Sequence, residues 1–360
     1  MNRLSAIDSF APAYARVRAM LFRPFRLGAW LKMGLIGLLG GAVISGGGFN
    51  FRAPVIPHNV PHDDLPPNTE DILRAIRSIH LADYFHVFVI VIGVIVVFAL
   101  IFLYLFCRFR FILFDSVVTG QPDIGRGWRK YESQANRYFA FWLAFRLVTW
   151  GALVLIVGVP LWHAYKNRLL SGDNSLPVFF AIIASVALGA LVVTVAFAIV
   201  STLAKDFVMP VLALDDLSLN DAWSAVWRVA ASEPGAWAAY MGMKVLCAIA
   251  SSIALTIAFV IAMLPALVVI GIPVGILIAL GVLAFKAIGA VFGIIICCIG
   301  VLLAVAGFLC LLLILTAPIS VFFTSYALYF FGGRYPKLAV LLSPQPIPPL
   351  PQTPDVQPAL

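Results

Sequence analysis

The stretch from Ala236 to Phe331 restricts the fold of this chain more than any other feature. It is almost continuously apolar, and its only charged residues are Lys244 and Lys286. About 20 consecutive apolar residues suffice to cross a bilayer, and runs of this kind recur along the rest of the chain. Only 11% of the 360 residues are charged, against about 25% in a typical soluble domain. The sequence therefore predicts an all-α integral membrane protein.

The apolar runs predict about six core transmembrane helices, within a range of six to eight. Residues 264–290 could form a further span, a hairpin or a re-entrant segment, because Pro265, Pro273 and Lys286 interrupt the apolar run. The predicted transmembrane domain covers 27–342, with spans at 27–46, 84–107, 138–162, 177–203, 236–262 and 291–316. A proline-rich tail, 343–360, is predicted to be disordered.

The distribution of charge predicts the orientation. Residues 1–26 contain five arginines and one aspartate, and residues 108–137 contain six basic residues. The loop 47–83 contains three basic residues and five acidic ones. Because basic loops stay in the cytosol, we expect a cytosolic N-terminus, an extracytoplasmic loop at 47–83 and a place in the bacterial inner membrane. The net charge of +8 is concentrated in these loops, so we expect lipid rather than nucleic acid as the partner.

A repeated pattern of amphipathic helix, helix breaker and span occurs at three places. Residues 1–26 predict an interfacial helix that ends at the "LFRPFR" motif around Pro24. Two further segments place a Trp-Arg pair shortly before a helix breaker, at Asn136 and at Pro234. We interpret the pattern as repeated cytosolic elbow helices, each followed by a span that carries one cation about two turns from its start.

Arginine, lysine and tryptophan side chains on these segments are the candidates for binding anionic headgroups, with tryptophan setting the depth in the membrane. A protein partner or a second copy of the chain could use the same surfaces. The candidates are Arg18, Arg23, Arg26, Trp30, Trp128, Arg129, Lys130, Trp223, Trp227 and Arg228.

Three cations lie inside predicted spans: Lys32, Arg146 and Lys244. Intramembrane charges are candidates for function, so they could converge on an anionic ligand. They could instead reach the interface as long flexible side chains, or pair with an acid. The spans contain almost no Asp or Glu, and Asp206 is expected to pair with its neighbour Lys205 at the membrane interface.

Nothing in the sequence predicts a catalytic site, a cofactor or a structural metal. The chain has no GxSxG, HExxH or P-loop motif. The loop residues His58, His62, Asp63 and Asp64 could ligate a divalent cation, but the surrounding prolines favour a solvated loop. Phe322, Phe323, Tyr326, Tyr329 and Phe330 are predicted to form an interfacial aromatic belt.

The motifs "LFRPFRLGAWLKMGLIGLLGG" and "APISVFFTSYALYFFGG" carry a family resemblance. Together with the stretch from Asp206 to Pro210, they resemble a group of uncharacterised bacterial and archaeal polytopic membrane proteins of unknown function. That group is distantly similar to the membrane domain attached to some glycerophosphodiester phosphodiesterases. The resemblance implies a shared fold and brings no known substrate.

The favoured function is therefore a non-enzymatic scaffold or accessory protein of the inner membrane, which engages anionic headgroups or a protein partner through its cytosolic helices. The alternative is a transporter or channel for a small or anionic solute that uses the three intramembrane cations. A lipid-modifying enzyme would need a nucleophile and a base, and the sequence offers no such pair.

Overall fold

A computed structural model describes residues 4–41, 81–167 and 175–342. Within these ranges the chain is helical and has no strand, so the prediction of an all-α protein is confirmed. Most of the predicted outer loop, including His58 and His62, lies outside the described residues, as does the tail 343–360.

Twelve α-helices and two short π-helical segments make up the described chain. The π-helical segments are Ala204–Val208, between α6 and α7, and Leu267–Gly271, between α9 and α10. The α-helices are α1 Phe10–Leu21, α2 Leu27–Leu39, α3 Leu81–Thr119, α4 Ile124–Lys130, α5 Glu132–Lys166, α6 Ser175–Leu203, α7 Met209–Asp215, α8 Leu219–Ser232, α9 Pro234–Ala266, α10 Ile272–Ala287, α11 Ala290–Gly332 and α12 Pro336–Leu342.

Five helical stretches among the described residues are long and apolar enough to cross a membrane, as expected for a multi-pass membrane protein. They are His86–Thr119, Glu132–Lys166, Pro177–Asp215, Pro234–Ala287 and Ala290–Gly332. Each has 34 to 54 residues, well above the roughly 20 that a bilayer core requires. Helix α2 is apolar but has only 13 residues, so the number of spans stays a prediction.

Exposure divides these long helices into two zones. In α3, every residue of 86–102 is exposed and every residue of 107–117 is buried. Helix α11 has the same division in reverse, since 290–311 is mostly exposed and 316–332 is mostly buried. We call the mostly exposed apolar stretches the arms; they comprise 86–102, 143–166, 177–200, 248–287 and 290–311.

The buried stretches pack together at one end of the molecule, and we call them the bundle. It comprises α1, α2 and α8 with residues 103–117, 131–142, 204–212, 237–247 and 316–332. Aromatic rings fill its centre: the Tyr240 ring stacks on Tyr326 at 5.3 Å and on Phe330 at 4.5 Å between centroids. Tyr326 and Phe330 therefore lie inside protein, and their prediction as an interfacial belt was wrong.

Glycines allow α2 to approach α11 closely. A Cβ atom on Gly34 would lie 2.2 Å from the Leu313 carbonyl oxygen, and one on Gly37 would lie 2.1 Å from the Ser320 hydroxyl. Glycine is the residue that permits such an approach between helix backbones. The short helix α2 is therefore held against the longest α-helix of the described chain.

The beginning of the chain is held by residues near its end. The Tyr326 hydroxyl donates a hydrogen bond to the Ala6 carbonyl at 2.9 Å, and Arg334 donates one to the Leu4 carbonyl at 3.0 Å. The Arg334 guanidinium also pairs with Glu233 at 3.0 Å. These contacts fix the approach to α1 before its first turn.

Residues 264–290, for which the sequence left three structures possible, form the end of a nearly continuous helix and the turn that follows it. Helix α9 passes through the π-helical segment next to Pro265 and Pro273, positions where proline removes a backbone donor. Gly289, at φ 135°, then turns the chain into α11. A Cβ atom on Gly281 would lie 2.5 Å from the Cys297 sulfur, which shows that α10 packs closely along the first part of α11.

Candidate functional site

The first elbow lies between α1 and α2, and Trp30 holds it together. The Trp30 indole N–H donates to the Leu21 carbonyl at 2.6 Å. The rings of Phe22 and Phe25 pack against the indole at 5.2 and 5.6 Å. Trp30 is buried, so it fastens the elbow instead of facing headgroups as predicted.

A cleft of about 710 Å³ opens beside this elbow, and four cationic side chains line it. Arg23, Arg26 and Lys32 come from the elbow and from α2, and Arg16 comes from α1. The opposite wall is the turn after α3, at 120–122. Within the described part of the chain, the side chains of Arg23, Arg26 and Lys32 make no hydrogen bond or ion pair. We call this site the cationic cleft.

Arg16, which lines the cationic cleft, also binds the end of α3. Its guanidinium donates to the Val117 carbonyl at 2.6 Å and to the Val118 carbonyl at 2.9 Å. Gly120, at φ 79°, ends the helix in the left-handed conformation that glycine adopts readily.

The second elbow is fixed by Asp115, which is buried in α3. Its carboxylate accepts hydrogen bonds from Arg126 at 2.7 Å, Lys130 at 3.1 Å and the Tyr131 hydroxyl at 3.1 Å. Burial raises the pKa of Tyr131 above its usual range. The chain turns at Tyr131, and Asn136 lies within α5, so the predicted break at Asn136 was wrong. Asparagine, unlike proline, keeps its backbone donor and is tolerated inside a helix.

The other predicted headgroup residues lie at the bundle end on several separate elements. Arg18, Arg129 and Arg228 are exposed, and so is Trp227. Trp128 is half-buried beneath the Arg108 guanidinium, which lies 5.1 Å from its ring centroid. Trp223 is half-buried against Phe141, at 5.8 Å between ring centroids.

Asp206 is the centre of a buried charge cluster within the bundle. It lies in the π-helical segment Ala204–Val208, and such segments are frequent at functional sites. Its carboxylate accepts hydrogen bonds from Arg110 at 3.3 Å, from the Tyr240 hydroxyl at 2.8 Å and from the Lys244 ammonium. The expected pairing with the neighbouring lysine at an interface was wrong, because Asp206 is buried and binds side chains of α3 and α9.

Lys205 points into aromatic surroundings beside this cluster. Its ammonium lies over the Phe106 ring at 5.6 Å and over the Trp142 ring at 5.3 Å from the centroids. Such cation–π contacts stabilise a desolvated ammonium by about 2 kcal/mol. One feature of the sequence indicated this cluster. Lys244 is isolated within an apolar run, and such a cation is stable only if it pairs with an acidic side chain or reaches the membrane interface.

The three intramembrane cations do not share one site. Lys32 lines the cationic cleft, and Lys244 is paired with Asp206. Arg146 is exposed and lines a separate cavity of about 370 Å³ with Leu38, Phe102 and other apolar side chains. Among the described residues, no group of three or more His, Cys, Asp or Glu side chains could hold a metal ion. The loop histidines and aspartates lie outside that region.

Fold and site together define a multi-pass α-helical membrane protein with a bundle at one end that contains a buried charge cluster. The chain matches a family of unknown function (DUF7544) over residues 4–341, and it belongs to this family. No curated protein and no solved structure matches it. The expected distant similarity to the phosphodiesterase membrane domain finds no support in these comparisons.

Proposed function

We propose that this protein is a non-enzymatic protein of the bacterial inner membrane that binds anionic lipid headgroups in the cationic cleft. Its role would be that of a scaffold or accessory protein with a cytosolic N-terminus. The observation that carries the proposal is the grouping of Arg23, Arg26 and Lys32 in one cleft, where their side chains have no hydrogen-bond partner in the described chain.

The surroundings of the cleft support a lipid as its ligand. Phe22, Phe25 and Leu27 alternate with the arginines along the chain and are 52%, 62% and 52% exposed. Exposed apolar side chains next to arginines are typical of segments that lie in the membrane interface. An arginine guanidinium can also donate two parallel hydrogen bonds to two oxygens of a phosphate group.

Native mass spectrometry of the purified full chain tests this proposal. The protein in detergent is titrated with phosphatidylglycerol, which is anionic, and with phosphatidylcholine, which has no net charge. We expect preferential retention of phosphatidylglycerol. The double variant Arg23→Gln/Arg26→Gln should lower the affinity at least about tenfold, because each charge-assisted hydrogen bond contributes about 1.5–3 kcal/mol.

A matched control removes the same charge elsewhere. Arg18 and Arg228 are exposed and lie outside the cleft, so Arg18→Gln/Arg228→Gln should retain the lipid. Equal losses in the two double variants would show that net charge alone attracts lipid, and would overturn the cleft as the site.

A further inference from the structure

A groove of about 630 Å³ runs along the hairpin that α10 and α11 form in the arms. Its lining comes from residues 281–286 of α10 and 293–302 of α11, and we call it the hairpin groove. The lining is apolar except for Lys286, which is the only charged residue in α10 and α11. A groove of this size can hold one small ligand, since ligand pockets have volumes of about 300–1,000 Å³.

Two glycines explain why the hairpin has a groove. Gly281 and Gly293 are buried where the helices touch, and a Cβ atom on Gly293 would lie 2.5 Å from the Cβ atom of Phe285. Larger side chains stand beside this contact, and among them Val282 and Leu302 are 50% and 68% exposed. Because the backbones meet at the glycines, the larger side chains on either side leave a channel between them.

Lys286 lies at one end of the hairpin groove. It belongs to the last turn of α10, at the end of the hairpin that is farther from the bundle. From there the groove follows α11 from Gly293 to Leu302, a distance of about 14 Å at 1.5 Å per residue. The groove therefore combines a cation at its outer end with an apolar channel that leads toward the bundle.

The charge of Lys286 has no counterpart on the described hairpin. Lys286 is exposed, and within the described part of the chain its side chain makes no hydrogen bond or ion pair. The arms contain no aspartate or glutamate, so a second copy that packed here through its own arms would bring no counter-charge. An anion is attracted strongly to an ammonium in surroundings of low dielectric constant. A membrane amphiphile with an anionic head can supply that anion.

We propose that the hairpin groove binds a long-chain fatty acid, with its carboxylate on Lys286 and its alkyl chain along α11. One cation matches the single charge of a carboxylate, and one channel receives a single chain. A phosphate group is bound better by the paired donors of arginine, and α10 and α11 contain no arginine. The proposal does not depend on the cationic cleft, which is lined by different residues.

Photo-cross-linking of the full chain in detergent tests the proposal. The probe is a fatty acid with a diazirine group in its chain, used at mildly alkaline pH so that its carboxylate is ionised. We expect saturable cross-links that mass spectrometry assigns to 281–302. Unlabelled oleate should suppress them about tenfold more effectively than oleyl alcohol, which has the same chain without the charge, a factor that corresponds to 1.4 kcal/mol. Equal suppression by oleyl alcohol, or stronger suppression by phosphatidylglycerol, would overturn the fatty acid as ligand.

Lys286→Gln tests the cation, and it should reduce the affinity for the probe about tenfold. The matched control is Lys166→Gln, because Lys166 is also exposed and lies in the last turn of another arm helix, outside the hairpin groove. The control should retain the affinity of the original chain. An undiminished affinity in Lys286→Gln, or the same loss in both variants, would overturn the assignment of the carboxylate to Lys286.

A pair of cysteine positions tests the channel. Cys298→Trp fills the hairpin groove, whereas Cys310→Trp places the same side chain at an exposed position of α11 outside it. Cross-linking at 281–302 should be lost only in Cys298→Trp. Both positions are remote from the bundle, so equal unfolding midpoints of the two variants establish that each is folded. Unchanged cross-linking in Cys298→Trp, or cross-links spread evenly over all arms, would reduce the groove to ordinary lipid contact and overturn the proposal.

Discussion

The two halves of α3 show how the arms and the bundle differ. Residues 86–102 are exposed at every position, and residues 107–117 are buried at every position, although both stretches are rich in Phe, Ile and Leu. The buried half contains Arg108, Arg110 and Asp115, and each of these pairs with a side chain on another element. Apolar side chains keep both halves out of water. The charged side chains specify where a helix meets protein instead of lipid.

The largest effect is expected when the charge cluster of the bundle loses its acid. Asp206→Asn leaves Arg110 and Lys244 buried beside a neutral amide, which should destabilise the fold by about 3–5 kcal/mol. Unfolding in mixed micelles with increasing sodium dodecyl sulfate measures the loss. The control is Asp216→Asn, because Asp216 is 62% exposed and pairs with Arg137 at the surface, where such pairs contribute about 0–1 kcal/mol. Similar losses in both variants would contradict a special role for the buried pair.

A matched truncation of isoleucine compares the packing of the two zones directly. Ile112 is fully buried in the bundle and Ile95 is 59% exposed in the arm of the same helix. Ile112→Ala should cost about 2–5 kcal/mol, the range for large-to-small changes in a packed core. Ile95→Ala should cost under about 1 kcal/mol, because lipid or detergent fills the space. The same unfolding assay measures both, and an equal cost would show that the arm is packed against protein.

A glycine pair tests the close approach of α2 to α11. Gly34→Ala places a methyl group against the Leu313 backbone and should cost about 1–3 kcal/mol through the forced shift. Gly151, in the arm of α5, has no neighbouring atom within 4 Å of the point where a Cβ would stand. Gly151→Ala should therefore be neutral, or stabilising by up to about 1 kcal/mol through helix propensity. A destabilised Gly151→Ala would mean that the arm has a neighbour.

The smallest effect is expected at the first elbow. Trp30→Phe keeps the aromatic packing and removes the hydrogen bond to the Leu21 carbonyl, at a cost of about 1 kcal/mol. Trp227→Phe, at a position that is 65% exposed, should change stability by no more than about 0.5 kcal/mol. Tryptophan fluorescence can follow unfolding in both variants. If Trp227→Phe has the larger effect, the elbow is not held by this bond.

The sequence was sufficient to predict the class of protein, because long runs of apolar residues indicate helices that lie in a bilayer instead of in water. It also pointed to the elbow at Pro24, since proline breaks a helix and the arginines of "LFRPFR" alternate with aromatic residues. The bundle was harder to predict. Phe323 and Phe330 could belong to a membrane interface or to a protein core, and composition does not distinguish these surroundings.

The site residues that sequence reasoning missed are those joined by long-range contacts. Arg110 and Asp206 are separated by 96 positions, and Arg16 and Val117 by 101. Asp206 was assigned to its neighbour Lys205 because adjacency is visible in a sequence and helix packing is not. A π-helical segment changes the direction of successive side chains, which makes a nearest-neighbour assignment least dependable at that position.

The contacts of Leu4 and Ala6 can form only late in the synthesis of the chain. Their partners, Arg334 and Tyr326, follow them by 330 and 320 positions. A ribosome that adds about 5–20 residues per second would take on the order of half a minute to supply these partners. During that time the start of the chain waits without its final contacts, and shortening the protein at its far end would leave its beginning unanchored.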